Sequence, residues 1–97
     1  MRMSKTDAEV KCRIVEKLLR NEVIGKHTLP VSAAADRYLA SHNVGRGRDL
    51  IEDEMIPQNE AGIEMVGGGA RNTIRIGDVE KAVSFLEDND GNPPFGF

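Results

Sequence analysis

Apolar positions in the first third of the chain recur with a helical period. Val10, Ile14 and Leu18 lie four apart, Val15, Leu19 and Val23 run alongside them, and together they make a stripe wide enough to face a core. Thr6-Asp7-Ala8-Glu9 has capping-box spacing, in which the Thr hydroxyl accepts from the Glu backbone N–H and the Glu side chain bonds back to the Thr N–H. A helix is therefore predicted to start there, with Gly25 as its stop. Lys26 to Val31 reads as a short edge strand, because Pro30 disfavours helical backbone at Leu29 and has no N–H for a ladder. Ser32 is the expected N-cap of a second helix that buries Ala35, Tyr38 and Leu39 and ends near Ser41-His42-Asn43.

A third helix is predicted from about Gly45 to Ile56, with Val44, Leu50, Ile51 and Met55 inward and Pro57 beyond its end. Gly45 and Gly47 weaken its first turn, each by about 1 kcal/mol relative to Ala. Pro57-Gln58-Asn59-Glu60 reads as an unstructured connection. The period then changes to two: Ile63 and Met65 alternate with Glu64, Ile74 and Ile76 alternate with Thr73 and Arg75, and Gly67-Gly68-Gly69-Ala70-Arg71 intervenes. This is a hairpin with a long loop whose glycines permit positive φ. Asp78 caps a last helix that carries Val79, Ala82, Val83 and Leu86 on one face. Residues 1–5 and 89–97 are expected to be flexible ends around one domain at 6–88.

The resulting order is helix, short strand, helix, helix, hairpin, helix. It resembles the winged helix-turn-helix superfamily, and is similar to the small winged-helix proteins common in archaea, on the strength of Ser32 to Ile56 followed by Ile63 to Ile76. The resemblance covers Thr6 to Leu86 and implies an α+β fold: a three-helix core with a short strand, a β-hairpin wing and an additional C-terminal helix. It implies double-stranded DNA as partner, a role as a small transcriptional regulator, and Asn43 to Met55 as the recognition helix. Arg46 and Arg48 would then meet the groove, where Arg can donate to guanine O6 and N7, and Arg37 would add positive charge from the preceding helix. The wing would contribute Arg71 at its tip, Arg75 on a strand and Asn72 toward a phosphate or base edge. Winged-helix proteins often pair through helices outside the reading motif, which makes a homodimer through the first and last helices a further expectation.

Composition adjusts this picture. At 97 residues, 39% of them hydrophobic, the chain suits one domain with a modest aliphatic core; Tyr38, Phe85, Phe95 and Phe97 are too scattered to stack bases. The single cysteine, Cys12, cannot form an internal disulfide and could be exposed on the polar side of the first helix. The polar start and the lack of a long apolar run favour a cytoplasmic location without a membrane partner. Net charge is −3, but Met1 to Ile51 holds ten Lys/Arg against six Asp/Glu (+4) and Glu52 to Phe97 three against ten (−7).

Asp49, Glu52, Asp53 and Glu54 follow the two arginines on the same predicted helix. If they share its exposed face they repel phosphates, which favours the alternative of a non-enzymatic protein-interaction module with a winged-helix fold. Cys12, His27 and His42 lack metal-ligand spacing, and Gly67-Gly68-Gly69 lacks the Lys and Ser/Thr of a P-loop. With the acids scattered or bunched as charge runs, no catalytic residue, metal or cofactor is expected.

Overall fold

The stripe on the first helix organises the molecule. In the computed structural model, which describes residues 7–66 and 73–94, α1 (Asp7–Arg20) buries Val10, Ile14, Val15, Leu18 and Leu19 completely or nearly so. The cap expected at Thr6 lies outside the described residues. The helix stops at Arg20, where Glu22 takes a left-handed backbone (φ 56°) and the Val23 N–H returns to the Leu18 carbonyl at 2.9 Å. Gly25 is also left-handed, one turn of chain later than the helix needs.

Pro30 acts in two ways. It forms, with Leu29, the two-residue edge strand β1 (Leu29–Pro30), and its extended backbone (φ −61°, ψ 144°) caps α2 (Val31–Tyr38) two residues before the Ser32 cap expected from the sequence. Pro has a fixed φ and no N–H to satisfy, so it launches the helix without a side-chain cap. Val31, Ala34 and Ala35 face the core, Leu39 follows them, and a 3₁₀ turn (Ser41–Asn43) leads into α3 (Val44–Leu50).

The third helical rod runs further than predicted. After α3 the backbone widens into a π turn (Ile51–Met55), in which the Ile56 N–H reaches the Ile51 carbonyl, and then closes in α4 (Ile56–Gln58). Pro57 sits inside this last turn instead of ending the rod before it. An α-helix would press the Pro57 ring on the Asp53 carbonyl, and the wider turn relieves that clash. Asn59 ends the rod in the left-handed conformation (φ 50°).

Strands β2 (Ile63–Val66) and β3 (Thr73–Ile76) pair antiparallel with Ile63 opposite Ile76 and Met65 opposite Ile74; β1 pairs on the other side of β3, giving the order β1-β3-β2. The loop at 67–72 lies outside the described residues. Gly62 (φ 72°) is required at the base of the hairpin, because a Cβ there would come within 2.4 Å of the Asp78 carbonyl oxygen. Helix α5 (Val79–Asp88) is capped by Asp78, whose side chain accepts from the Lys81 N–H at 3.1 Å. It packs on α1 through Ala82, Phe85 and Leu86, with Val79 and Val83 at the margin of the same core. Beyond it, the Asn92 N–H donates to Glu16 on α1 at 2.9 Å, and Pro94 is buried. The architecture is α+β, with helices around one aliphatic core and a small three-stranded antiparallel sheet. No helix among the described residues is long and apolar enough to cross a membrane.

Candidate functional site

The third helix carries Arg46 and Arg48, the arginines expected to meet a groove, and its setting starts at Gly47. A Cβ on Gly47 would lie 2.1 Å from the terminal methyl Leu39 Cδ1, so a side chain there would force the nearly buried Leu39 to move; its absence gives Leu39, at the end of α2, its place on the first turn of α3. The residue that weakens the helix by propensity is the one whose small size the Leu39 side chain uses. Asn43, which precedes α3, is buried with its Nδ2 unpartnered, so the entry to the helix is fixed by packing and by backbone bonds such as Asn43 N–H to Ala40 O at 2.8 Å.

With Gly47, Leu50, Ile51 and Met55 inward, Gly45, Arg46, Arg48, Asp49 and Asp53 are exposed or nearly so, with Glu52 and Glu54 half-buried. Asp49 and Asp53 are one turn apart and so share a side of the rod, with Glu52 beside them. The outer face is thus positive at its first turn and negative along the rest. That ridge of carboxylates repels phosphates everywhere except near the amino-terminal turn.

The two arginines of that turn are not equivalent. Arg46 Nε donates to Asp7 Oδ1 at 2.9 Å, and Nη2 makes a second, short contact with Asp7 Oδ2, so the pair is bidentate across α1 and α3. Both side chains stay about half exposed (51% and 49%). The hydrogen bonds from Arg46 hold the Asp7 carboxyl below its usual range against desolvation, with the charges of Arg46 and Lys11 adding to them. Arg48 is exposed and makes no ion pair with any described residue, and the same holds for Arg37 on α2.

Arg75 lies on β3, half-buried, and is committed within the sheet. Its Nη2 and Nε donate to Glu64 Oε1 at 2.9 and 3.1 Å, the cross-strand neighbour given by the register, and Nη1 donates to the Gly25 carbonyl at 2.9 Å. Arg71 and Asn72 fall outside the described residues. Of the arginines expected to carry positive charge to a partner, Arg46 and Arg48 share one turn, Arg46 and Arg75 are paired within the molecule, and Arg37 and Arg48 are not paired to any described residue.

At the other end of the rod stands a group for which the sequence predicts no role. Lys11, only 9% exposed on α1, donates to Glu54 Oε1 at 2.7 Å and to Glu60 Oε2 at 2.8 Å, tying the π turn and the connection after α4 to the first helix. Burial alone would pull the ammonium's pKa down, but the hydrogen bonds to two carboxylates and their charges prevail and hold it above its usual value. The available signal was position: Lys11 lies three and four residues before Ile14 and Val15 and falls between them on the helix surface, inside the arc that turns inward.

Comparison with protein-family models, curated proteins and solved structures found no match. The chain's chemistry therefore has to be read from its own geometry. Cys12, which could be exposed on sequence grounds, is buried under residues 89–91, and its Sγ lies 3.8 Å from the Asn89 carbonyl. Burial, reinforced by the nearby Glu16, Asp90 and Glu9 carboxylates, pushes its thiol up, away from the reactive thiolate. Among the described residues no group of three or more His, Cys, Asp or Glu converges to hold a metal.

Proposed function

We propose that this chain is a winged helix-turn-helix protein that binds duplex DNA without catalysing a reaction, and that it serves as a small transcriptional regulator. In this reading α2 and α3 are the helix-turn-helix, β2 and β3 the stem of the wing, and α5 the additional C-terminal helix. The observation that carries it is the first turn of α3, held on α2 at Gly47 with Arg46 and Arg48 both exposed. Arginines at that position meet phosphates or guanine edges when the helix end enters a major groove.

The carboxylates of Asp49, Glu52 and Asp53 limit how much of the rod can follow. Binding is then dominated by backbone phosphates and depends strongly on salt. The decisive measurement is a titration with random duplex at several salt concentrations, comparing the chain with its Arg46→Ala/Arg48→Ala variant. The proposal requires low-salt binding and a slope of log K against log salt that falls by roughly 2 in the variant, about 0.9 for each phosphate that is no longer neutralised. Equal affinity and slope would remove these arginines from the interface.

A second reading is favoured by the acidic ridge itself: a protein-interaction module of the same fold that presents Asp49, Glu52 and Asp53 to a basic partner. Replacing Asp49 and Asp53 by Asn separates the two, since it strengthens binding to DNA and weakens binding to a cationic protein. Homodimerisation through the outer sides of α1 and α5 belongs to the same proposal, and light scattering on the free chain tests it.

A further inference from the structure

Arg46 is one of the two residues on which the proposed DNA contact rests, yet in the free chain it is already engaged. Its partner, Asp7, presents two carboxylate oxygens to Nε and Nη2, the edge of the guanidinium that also takes two oxygens of a phosphate. We propose that Asp7 occupies the phosphate site of Arg46 in the free protein, and that a backbone phosphate of duplex DNA displaces it on binding. This rests on the DNA-binding reading above and adds to it both a ligand for Arg46 and a brake on its use.

Three observations make the exchange feasible. Both side chains are about half exposed, so the pair sits in water-like dielectric and separates without leaving a dry charge behind. Asp7 is the first residue of α1, and a carboxylate at a helix amino terminus is stabilised by the helix itself, so it keeps a favourable setting once Arg46 leaves. Arg46 stands one turn ahead of Asp49 on an exposed rod, which leaves its guanidinium reachable by a polyanion approaching the first turn. An array of phosphates also releases counterions when a cation joins it, an advantage that a single carboxylate lacks.

The Lys11 clamp shows what a pair that does not exchange looks like: a cation nearly out of solvent and held by two carboxylates. Asp7 and Arg46 have neither property. Asp7 thus lowers the affinity of the first turn for any polyanion and narrows binding to sites where other contacts compensate.

The experiment measures random-duplex affinity across a salt series for the full chain and its Asp7→Asn, Arg46→Ala and Asp7→Asn/Arg46→Ala variants, with Glu80→Gln on exposed α5 as a control for added charge. Asp7→Asn is expected to tighten binding about two- to five-fold, the range in which exposed pairs act. The gain should vanish in the Arg46→Ala background and be absent from Glu80→Gln. A gain that persists without Arg46, or that Glu80→Gln reproduces, is a general charge effect and overturns the exchange. So does wild-type affinity in Asp7→Asn when Arg46→Ala still weakens binding, an outcome that leaves the DNA reading intact. If neither the chain nor Asp7→Asn binds duplex at low salt, the DNA reading falls and the exchange falls with it.

Discussion

The two ends of the third helical rod are fastened to α1 by the same chemistry with opposite consequences. At its carboxyl end Lys11 reaches Glu54 and Glu60 from a nearly buried position; at its amino end Arg46 meets Asp7 with both side chains about half in solvent. The ion pairs have similar lengths where both are normal hydrogen bonds, 2.7 and 2.8 Å against 2.9 Å. Distance is therefore not what separates a structural fastening from one that can be exchanged. Burial and the number of partners are, because a charge removed from water must keep its counter-charge and an exposed one need not.

Breaking the buried end should have the largest effect. Lys11→Ala leaves Glu54 and Glu60 without the cation between them, in side chains 38% and 25% exposed, and is expected to cost about 2–3 kcal/mol, less than a fully buried pair because water reaches both carboxylates. Glu54→Gln or Glu60→Gln alone should cost less, since the other carboxylate remains. Urea denaturation measures all three, and a Lys11→Ala cost below about 0.5 kcal/mol would reduce the clamp to an ordinary surface pair. The pH dependence has a definite sign. The folded pKa of Lys11 is raised above its ordinary 10.5, so the clamp's contribution is complete below that value and is lost as pH rises through the folded pKa. Stability of the chain minus that of Lys11→Met should therefore stay level at neutral pH and shrink only in strong alkali.

Gly47 tests the other end through packing. Ala at this position is favoured by helix propensity by about 1 kcal/mol, but its Cβ collides with Leu39, itself nearly buried, and overpacking costs about 1–3 kcal/mol. The net expectation is a loss of about 1 kcal/mol in Gly47→Ala, recovered when Leu39→Ala is combined with it, so that the double variant is more stable than the sum of the single changes predicts. Gly45, with nothing near its Cβ, provides the contrast: Gly45→Ala should stabilise the chain by up to about 1 kcal/mol.

These glycines also mark where the sequence was legible. The periodic signals were strong: the stripe of α1, the alternation of Ile74 and Ile76 with Thr73 and Arg75, and the Asp78 cap all describe local structure that side-chain spacing determines, whereas on β2 the alternation stops at Ile63 because Met65 is exposed. Propensity treats Gly45 and Gly47 alike; Gly47 differs in lying three and four residues before the inward Leu50 and Ile51 and, in the fold, in the approach of Leu39. Pro57 misled for a related reason, since the rule that proline ends a helix presumes α geometry and the π turn before it removes the clash. The charges were least legible. Arg46 and Arg75 are visible as arginines, but their partners Asp7 and Glu64 lie 39 and 11 positions away, and Lys11 meets carboxylates 43 and 49 positions distant. Pairings over such separations follow from the tertiary arrangement and leave no local pattern.

The smallest expected effect sharpens the comparison most. Asp7 is held below its ordinary carboxyl pKa of 3.8 by the hydrogen bonds and charge of Arg46, so whatever stability the pair lends is present above the unfolded pKa and lost as pH falls through the lower folded value. At neutral pH, Arg46→Ala should leave the melting midpoint within the scatter of measurement, because an exposed pair contributes little. The titration itself should still move. A carboxyl NMR titration of the chain is expected to show Asp7 deprotonating below 3.8, and Arg46→Ala should return it toward that value. A small shift matched by an equally small change in stability is what a contact formed without strong commitment produces, since by linkage both report the same free energy. If Arg46→Ala leaves the Asp7 titration where it was, the two side chains are not paired in solution and the contrast between the rod's ends reduces to one clamp and a free first turn.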